Sequence, residues 1–368
     1  MKFIDNINSL YPEEQDLLKF IKKQNILPLY YKSVEDQHFK VVLRPYYMRM
    51  LYYAMKQDSY IKKISMLFSE HEIDYILLKG AYLRQFYVQS NLRTMGDIDI
   101  LIHSTDLQKA KELLQTNSFI YVDSHEYEHT FKIENIKLEL HTALFDMNRS
   151  TEYIKMNLDP WENVKTTPLS HQFEMDIITN FTYLIFHSAK HVYAQGAGLR
   201  FFYDIFVLYT HKKGELDKKQ LELKLTALHL DTFTHYISKM LAQWFDTNDF
   251  YLNDCDENTY EEFEKYILNG GIFGHEENQA STAKLRTIEM HLNANGNAVN
   301  SLSIAKEMLF PSHYSLKDIF SRYLRWLKNF SKQSKSLSNM IRNQKYATKQ
   351  QDLIKNLGLV SLYNYSKR

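Results

Sequence analysis

The 368-residue chain is long enough for a sizeable core and two or three compact units. Its 45 lysines and arginines against 44 acidic residues leave a net charge of +1, so no global field directs it to nucleic acid or an anionic membrane, although a local basic cleft is compatible with that balance. The single cysteine, Cys255, excludes an internal disulfide framework and points to a reducing cytoplasm, while ten glycines and six prolines favour a helix-rich protein with few long loops.

The opening MKFIDNINSLYPEEQ has early acidic residues and no apolar run, unlike a secretory signal, and no window reaches the apolar length of a membrane span. Apolar residues at helical spacing over 12–24 and 45–70 predict helices, and residues 1–70 read as an N-terminal helical segment. The texture then changes. IDYILLK (73–79) reads as a short strand ended by Gly80, AYLRQFYVQ (81–89) as a helix, and DIDILI (97–102) as a strand. TDLQKAKELLQTN (105–117) reads as a helix with Thr105 as its N-cap. FIYVD, HTFKIE and IKLELH follow as strands, the last two joined by a tight turn at Glu134-Asn135. Residues 71–168 therefore form a small α/β core. Helical patterns dominate 169–330, broken by NGGIFG (269–274) and LFPS (309–312). The Lys-, Ser- and Asn-rich tail, 331–368, reads as a solvated helix or a partly disordered segment.

The chemistry concentrates in NLRTMGDIDILI (91–102). Alternate strand residues share a face, so Asp97 and Asp99 project together while Ile98 and Ile100 enter the core. Two close, partly buried carboxylates raise each other's pKa unless a cation neutralises them, and a hard divalent ion such as Mg²⁺ or Mn²⁺ does so with oxygen ligands. IKLELH supplies a third carboxylate, Glu139, with Lys137 and His141 on its own face; neighbouring strands would bring all three to the aspartates. A bare acidic-x-acidic pair is common by chance, and Asp97 as a turn residue with Asp99 as an edge charge is the plain alternative. Acidic residues are depleted in strands, however, and the aliphatic run around them argues against decoration.

LLKGAYLRQFY followed by LRTMGDIDILI resembles the catalytic core of the DNA polymerase β-like nucleotidyltransferase superfamily, in which a strand, glycine turn and helix precede an acidic-x-acidic strand. HSAKHVYAQGAGLRFFYDIFVL (187–208), ILNGGIFG (267–274) and MLFPSHYSL (308–316) are similar to later landmarks of a family of uncharacterised bacterial nucleotidyltransferases, often found near surface-polysaccharide or peptide-tailoring genes. The likeness extends over about residues 25–330. Two details depart from the superfamily pattern: Gly80-Ala81 replaces the usual Gly-Gly or Gly-Ser, and the third acid is glutamate instead of aspartate. The resemblance implies an α+β fold, a small mixed-sheet palm embedded in a mainly helical protein. It implies transfer of a nucleoside monophosphate from an NTP to an acceptor with release of pyrophosphate. Asp97, Asp99 and Glu139 would be the catalytic and metal-binding residues. Lys79, Gly80, Arg93, His141, His187, His191 and Arg200 would contact the nucleotide.

Each of those has a plainer alternative. An ordinary turn explains Gly80 as well as phosphate approach does, and Lys79 reads equally as a snorkelling surface residue. Arg93 suits a phosphate or carboxylate fork, or a structural pair with Asp97. His187 and His191 lie four apart on one helix face; zinc would need a third ligand that the neighbouring sequence lacks, leaving a ligand-facing pair or packed structural histidines. Arg200 and Asp204, also four apart, read as an ion pair on their helix. Most of the 27 tyrosines and 22 phenylalanines fall at helical spacing and belong to cores. The expected acceptor is a hydroxyl on a small molecule, sugar or peptide; a tRNA acceptor is not favoured. The remaining alternatives are a fukutin-like transferase moving a phospho-alcohol from a CDP carrier, and an inactive nucleotide-binding protein.

Overall fold

Ile98–Ile102 (β2) is buried at all five positions and forms the middle of a seven-stranded mixed sheet. The computed structural model describes residues 2–125, 127–144, 159–194, 196–251, 255–271, 303 and 344–360. Four helices precede the sheet: Lys2–Leu10 (α1), Glu14–Lys23 (α2), Leu27–Ser33 (α3) and the long Gln37–Glu70 (α4). Asp36 caps α4 by accepting from the backbone N–H groups of His38 and Phe39.

Tyr75–Leu77 (β1) runs antiparallel to β2, and a short helix, Lys79–Leu83 (α5), follows it directly. Leu107–Thr116 (α6) leads to Ile120–His125 (β3), Glu128–Ile133 (β4) and Ile136–His141 (β5). The two-residue turn Glu134-Asn135 joins β4 to β5 as the sequence predicts, with Glu134 in the left-handed region at φ 52°. Ahead of α6, a 3₁₀ turn at Ser104–Asp106 takes the place of the expected Thr105 cap. β5 lies parallel to β2 on the side away from β1, and Lys165–Thr166 (β6) and Gln172–Glu174 (β7) complete the order β3-β4-β5-β2-β1-β7-β6.

Alternation divides the sheet into two faces with different cores. Ile98, Ile100 and Ile102 join Leu138 and Leu140 against Ile61, Ile64 and Phe68 of α4 and Ala110 and Leu114 of α6. The opposite face looks toward Ile177–Ala194 (α7) and Leu199–Lys212 (α8). These helices share one core with α1–α3, Lys218–Ala227 (α9), Asp231–Phe245 (α10) and Glu257–Asn269 (α11). Within the tail, Gln344–Asn356 (α12) is a helix, one of the two expected states, but it is not solvated throughout: Leu353, Ile354, Leu357 and Leu359, in and just after this helix, are buried in that core. The expected break at LFPS and the second half of NGGIFG lie outside the described residues.

Candidate active site

Parallel pairing of β2 with β5 sets Asp99 directly beside Glu139. His141, two residues on, shares their face because of strand alternation. Its Nε2 stands 3.0 Å from Asp99 Oδ1 and 3.6 Å from Glu139 Oε2. From the other side, the backbone N–H of Leu78 donates to the Asp99 carbonyl. Lys79 then takes a left-handed φ of 45°, and its Nζ reaches Asp99 Oδ1 at 2.7 Å. Lys137 pairs with Glu139 and lies 3.8 Å from Asp97.

These pairings set the charges. Burial alone would raise the Asp99 carboxyl, but Lys79 and His141 outweigh it and hold this acid far below the usual range. Glu139 is lowered despite its burial and the repulsion of Asp99, mainly by hydrogen bonds from His141 and Lys137. His141 is raised against its burial by the carboxylates of Asp99 and Glu139. Asp97 behaves differently: burial, then Asp99, then Glu139 push its pKa up to about 7, against the pull of Lys79 and Lys137. The strand begins at Ile98, so Asp97 sits at its mouth, outside the regular alternation, with its side chain 34% exposed.

Among the described residues, the ligand atoms of Asp99, Glu139 and His141 lie within 4.8 Å of one another. Asp97, the third acid of the expected trio, stands outside this tight group and lines the same cleft beside it. The oxygen donors fit a hard divalent cation. The His141 Nε2 is already directed at two carboxylates, which makes the ring a brace for Asp99 and Glu139.

A cleft of about 540 Å³ opens over this face. Nine of the ten residues singled out from the sequence line it: Lys79, Gly80, Arg93, Asp97, Asp99, Glu139, His187, His191 and Arg200. His141, only 1% exposed, lies behind Asp99 and not on the wall. Lys137, Glu128, Tyr127, Tyr183 and Lys190 also face the cleft. Sequence reasoning had placed Lys137 on the carboxylate face without assigning it a role. Nothing in local spacing marks the other four, because they come from a hairpin and from the helix opposite.

Several expectations need revision. Of the alternatives for Arg93, the structure shows the carboxylate fork, with Asp204 and not Asp97 as the acid: its Nε and Nη2 each donate to Asp204 at 2.7 Å, while Tyr87 donates to the same carboxylate at 2.6 Å. Asp204 is therefore not the partner of Arg200; that guanidinium donates to the Thr94 carbonyl at 3.0 Å. Burial, and then the neighbouring Arg93, bring Arg200 down to about 9. At Gly80, an added Cβ would lie 2.6 Å from Met95 Cγ and 3.2 Å from Arg93 Nη1, so close packing against these side chains favours the glycine independently of any phosphate. His187 and His191 do share a face, with ring centroids 4.5 Å apart and Phe201 beside both. Burial and Lys79 hold both imidazoles neutral, His191 at about 4, and no third zinc ligand joins them among the described residues.

No curated protein matches the chain. Among solved structures it is similar to the solution structure of the antibiotic-resistance factor ANT(2'')-Ia, with 13% identity and a TM-score of 0.37 over 51% of this chain and 96% of that one. No helix among the described residues is long and apolar enough to cross a membrane. The model of a family described as uncharacterised nucleotidyltransferase matches residues 12–246, which take in the palm, α7, α8 and the whole cleft. The chain is a nucleotidyltransferase and belongs to that family.

Proposed function

We propose that this nucleotidyltransferase moves a nucleoside monophosphate from an NTP to a hydroxyl of a small-molecule, sugar or peptide acceptor, with divalent metal held by Asp97, Asp99 and Glu139. The acceptor oxygen attacks the α-phosphorus, the bond from that phosphorus to the β-phosphate bridge breaks, and pyrophosphate leaves. The hydroxyl proton passes to a carboxylate of the cleft. A magnesium or manganese ion, when bound, would offset charge on the phosphoryl oxygens and make the hydroxyl easier to deprotonate.

The chain's own residues do the rest. Arg200 is a half-buried cation, and Asp204 on its own helix is already taken by Arg93 and Tyr87, so an anionic phosphate complements it. Lys79, 17% exposed at the cleft floor, can exchange Asp99 for a phosphate oxygen. The neutral His187 and His191, edge-on to each other and tilted against Phe201, form an aromatic wall against which a base can pack. His141 keeps Asp99 and Glu139 oriented.

The observation that supports this most is that one cleft gathers Asp99 and Glu139 on neighbouring strands, Asp97 at the mouth of β2, and the cations Lys190 and Arg200 on the helical side. The test follows label transfer and pyrophosphate release from α-labelled NTPs with Mg²⁺, offering pools of sugars, peptides and tRNA. The wild-type protein should label one pool, and Asp99→Asn should lose at least about 100-fold in rate while melting normally. An Asp99→Asn protein that turns over as well as wild type would rule out the assigned roles, and release of CMP from a CDP-linked donor would reassign the donor.

A further inference from the structure

Helix α4 is apolar on two opposite sides. Phe39, Leu43, Ala54, Ile61, Ile64 and Phe68 are buried beneath it. On the far side stand Val41 (70% exposed), Met48 (50%), Tyr52 (68%), Met55 (59%) and Met66 (63%). At 100° per residue these five fall within an arc of about 60° along about 37 Å of helix. Val41, Met48 and Met55 recur every seven residues, and Tyr52, Ser59 and Met66 form the interleaved series. That is the narrow two-position seam with which one helix receives another. A helix lying on a membrane needs a broader apolar face, and the opposite side of α4 is committed to the protein's own core.

The edges of the seam are basic. Arg44, Arg49 and Lys62 are exposed beside it. Between Gln37 and Met66 the helix has one acidic residue, Asp58, and Arg84 engages it at 2.8 Å. A second copy would set these cations against their own kind. Residues 272–343 are themselves basic by sequence, with ten lysines and arginines against five acids, and are no better matched. We propose that this face of α4 is a docking seam for one helix of a protein partner with acidic flanks. Aliphatic side chains of the partner would interleave with Val41, Met48, Tyr52 and Met55, and its carboxylates would meet Arg44, Arg49 and Lys62.

The test uses the full chain and two labelled four-heptad peptides, both with leucine in the core positions, one flanked by glutamate and the other by lysine. Fluorescence anisotropy should show saturable binding of the glutamate peptide, weakening with salt, and none of the lysine peptide. The double variant Met48→Asp/Met55→Asp should bind the glutamate peptide at least about tenfold more weakly, with an unchanged melt and unchanged nucleotide binding. Equal binding of both peptides, no binding of either, or an unaffected double variant would overturn the proposal. So would a wild-type dimer in light scattering that the double variant dissolves, or seam-dependent binding to anionic vesicles without peptide binding.

Discussion

Asp204 accepts from Arg93 through both oxygens and from Tyr87 through one, and all three side chains are buried. The contact ties the segment before β2 to helix α8 across 111 residues of chain. Separating buried partners costs more than the pair contributes, because one charge is left without compensation. Asp204→Ala should therefore lower the unfolding free energy by about 3–5 kcal/mol in urea melts; a loss within experimental error would mean the pair is not formed. The histidines give a pH signature. Burial, followed by Lys79, Lys190 and Arg200, holds His191 down to about 4, whereas the unfolded chain protonates it near the ordinary value of about 6.5. The unfolded state thus binds the proton first, and stability falls as pH drops from about 6.5 toward 4, with no effect above that window. His191→Gln should lose fewer degrees of Tm than wild type between pH 7 and pH 5; parallel losses would contradict the half-buried, neutral imidazole. These residue-scale features were the least legible in the sequence. A four-residue spacing suggested Arg200 with Asp204, but the partner that won lies in another element, where the guanidinium of Arg93 can meet both carboxylate oxygens.

At the scale of elements, alternation and aliphatic runs carried the reading well. β1, β2, β4, β5 and their hairpin follow from period-two patterns and a two-residue turn, and they place Lys137, Glu139 and His141 on one face. Strand boundaries were less legible: β2 starts at Ile98, and that single residue separates Asp97 from the tight acidic group. Composition misled in the tail, where Leu353, Ile354 and Leu357 keep a helical apolar face among polar neighbours. A residue that no pattern marked is Gln24, which is fully buried. Its amide nitrogen donates to the carbonyls of Ile267, Leu268 and Gly270, and its oxygen accepts from the Leu199 backbone N–H at 2.7 Å. One side chain thereby joins the end of α2 to the start of α8 and the end of α11. Gln24→Leu keeps the bulk but strands these backbone groups, and should cost about 2–4 kcal/mol by urea denaturation. A neutral result would show that water or a local shift satisfies them.

For the whole molecule, the sheet face that carries the acids, at positions 97–139, is closed by helices that come later in the chain, at 177–212. The palm was legible because its elements are consecutive. The cleft opposite became legible only through the family likeness of the later landmarks. Burial and mutual repulsion leave Asp97 at about 7 beside two acids that Lys79, Lys137 and His141 already compensate, which is the electrostatic setting of a cation site. The most direct measurement is Mn²⁺ binding by electron paramagnetic resonance, with and without NTP, on wild type, Asp97→Asn, Asp99→Asn and Glu139→Gln. The account predicts saturable Mn²⁺ binding that NTP tightens, lost or weakened at least about tenfold in each variant while the thermal melt persists. Wild-type protein that binds no Mn²⁺ in the presence of any NTP, or three variants that bind it as wild type does, would contradict it.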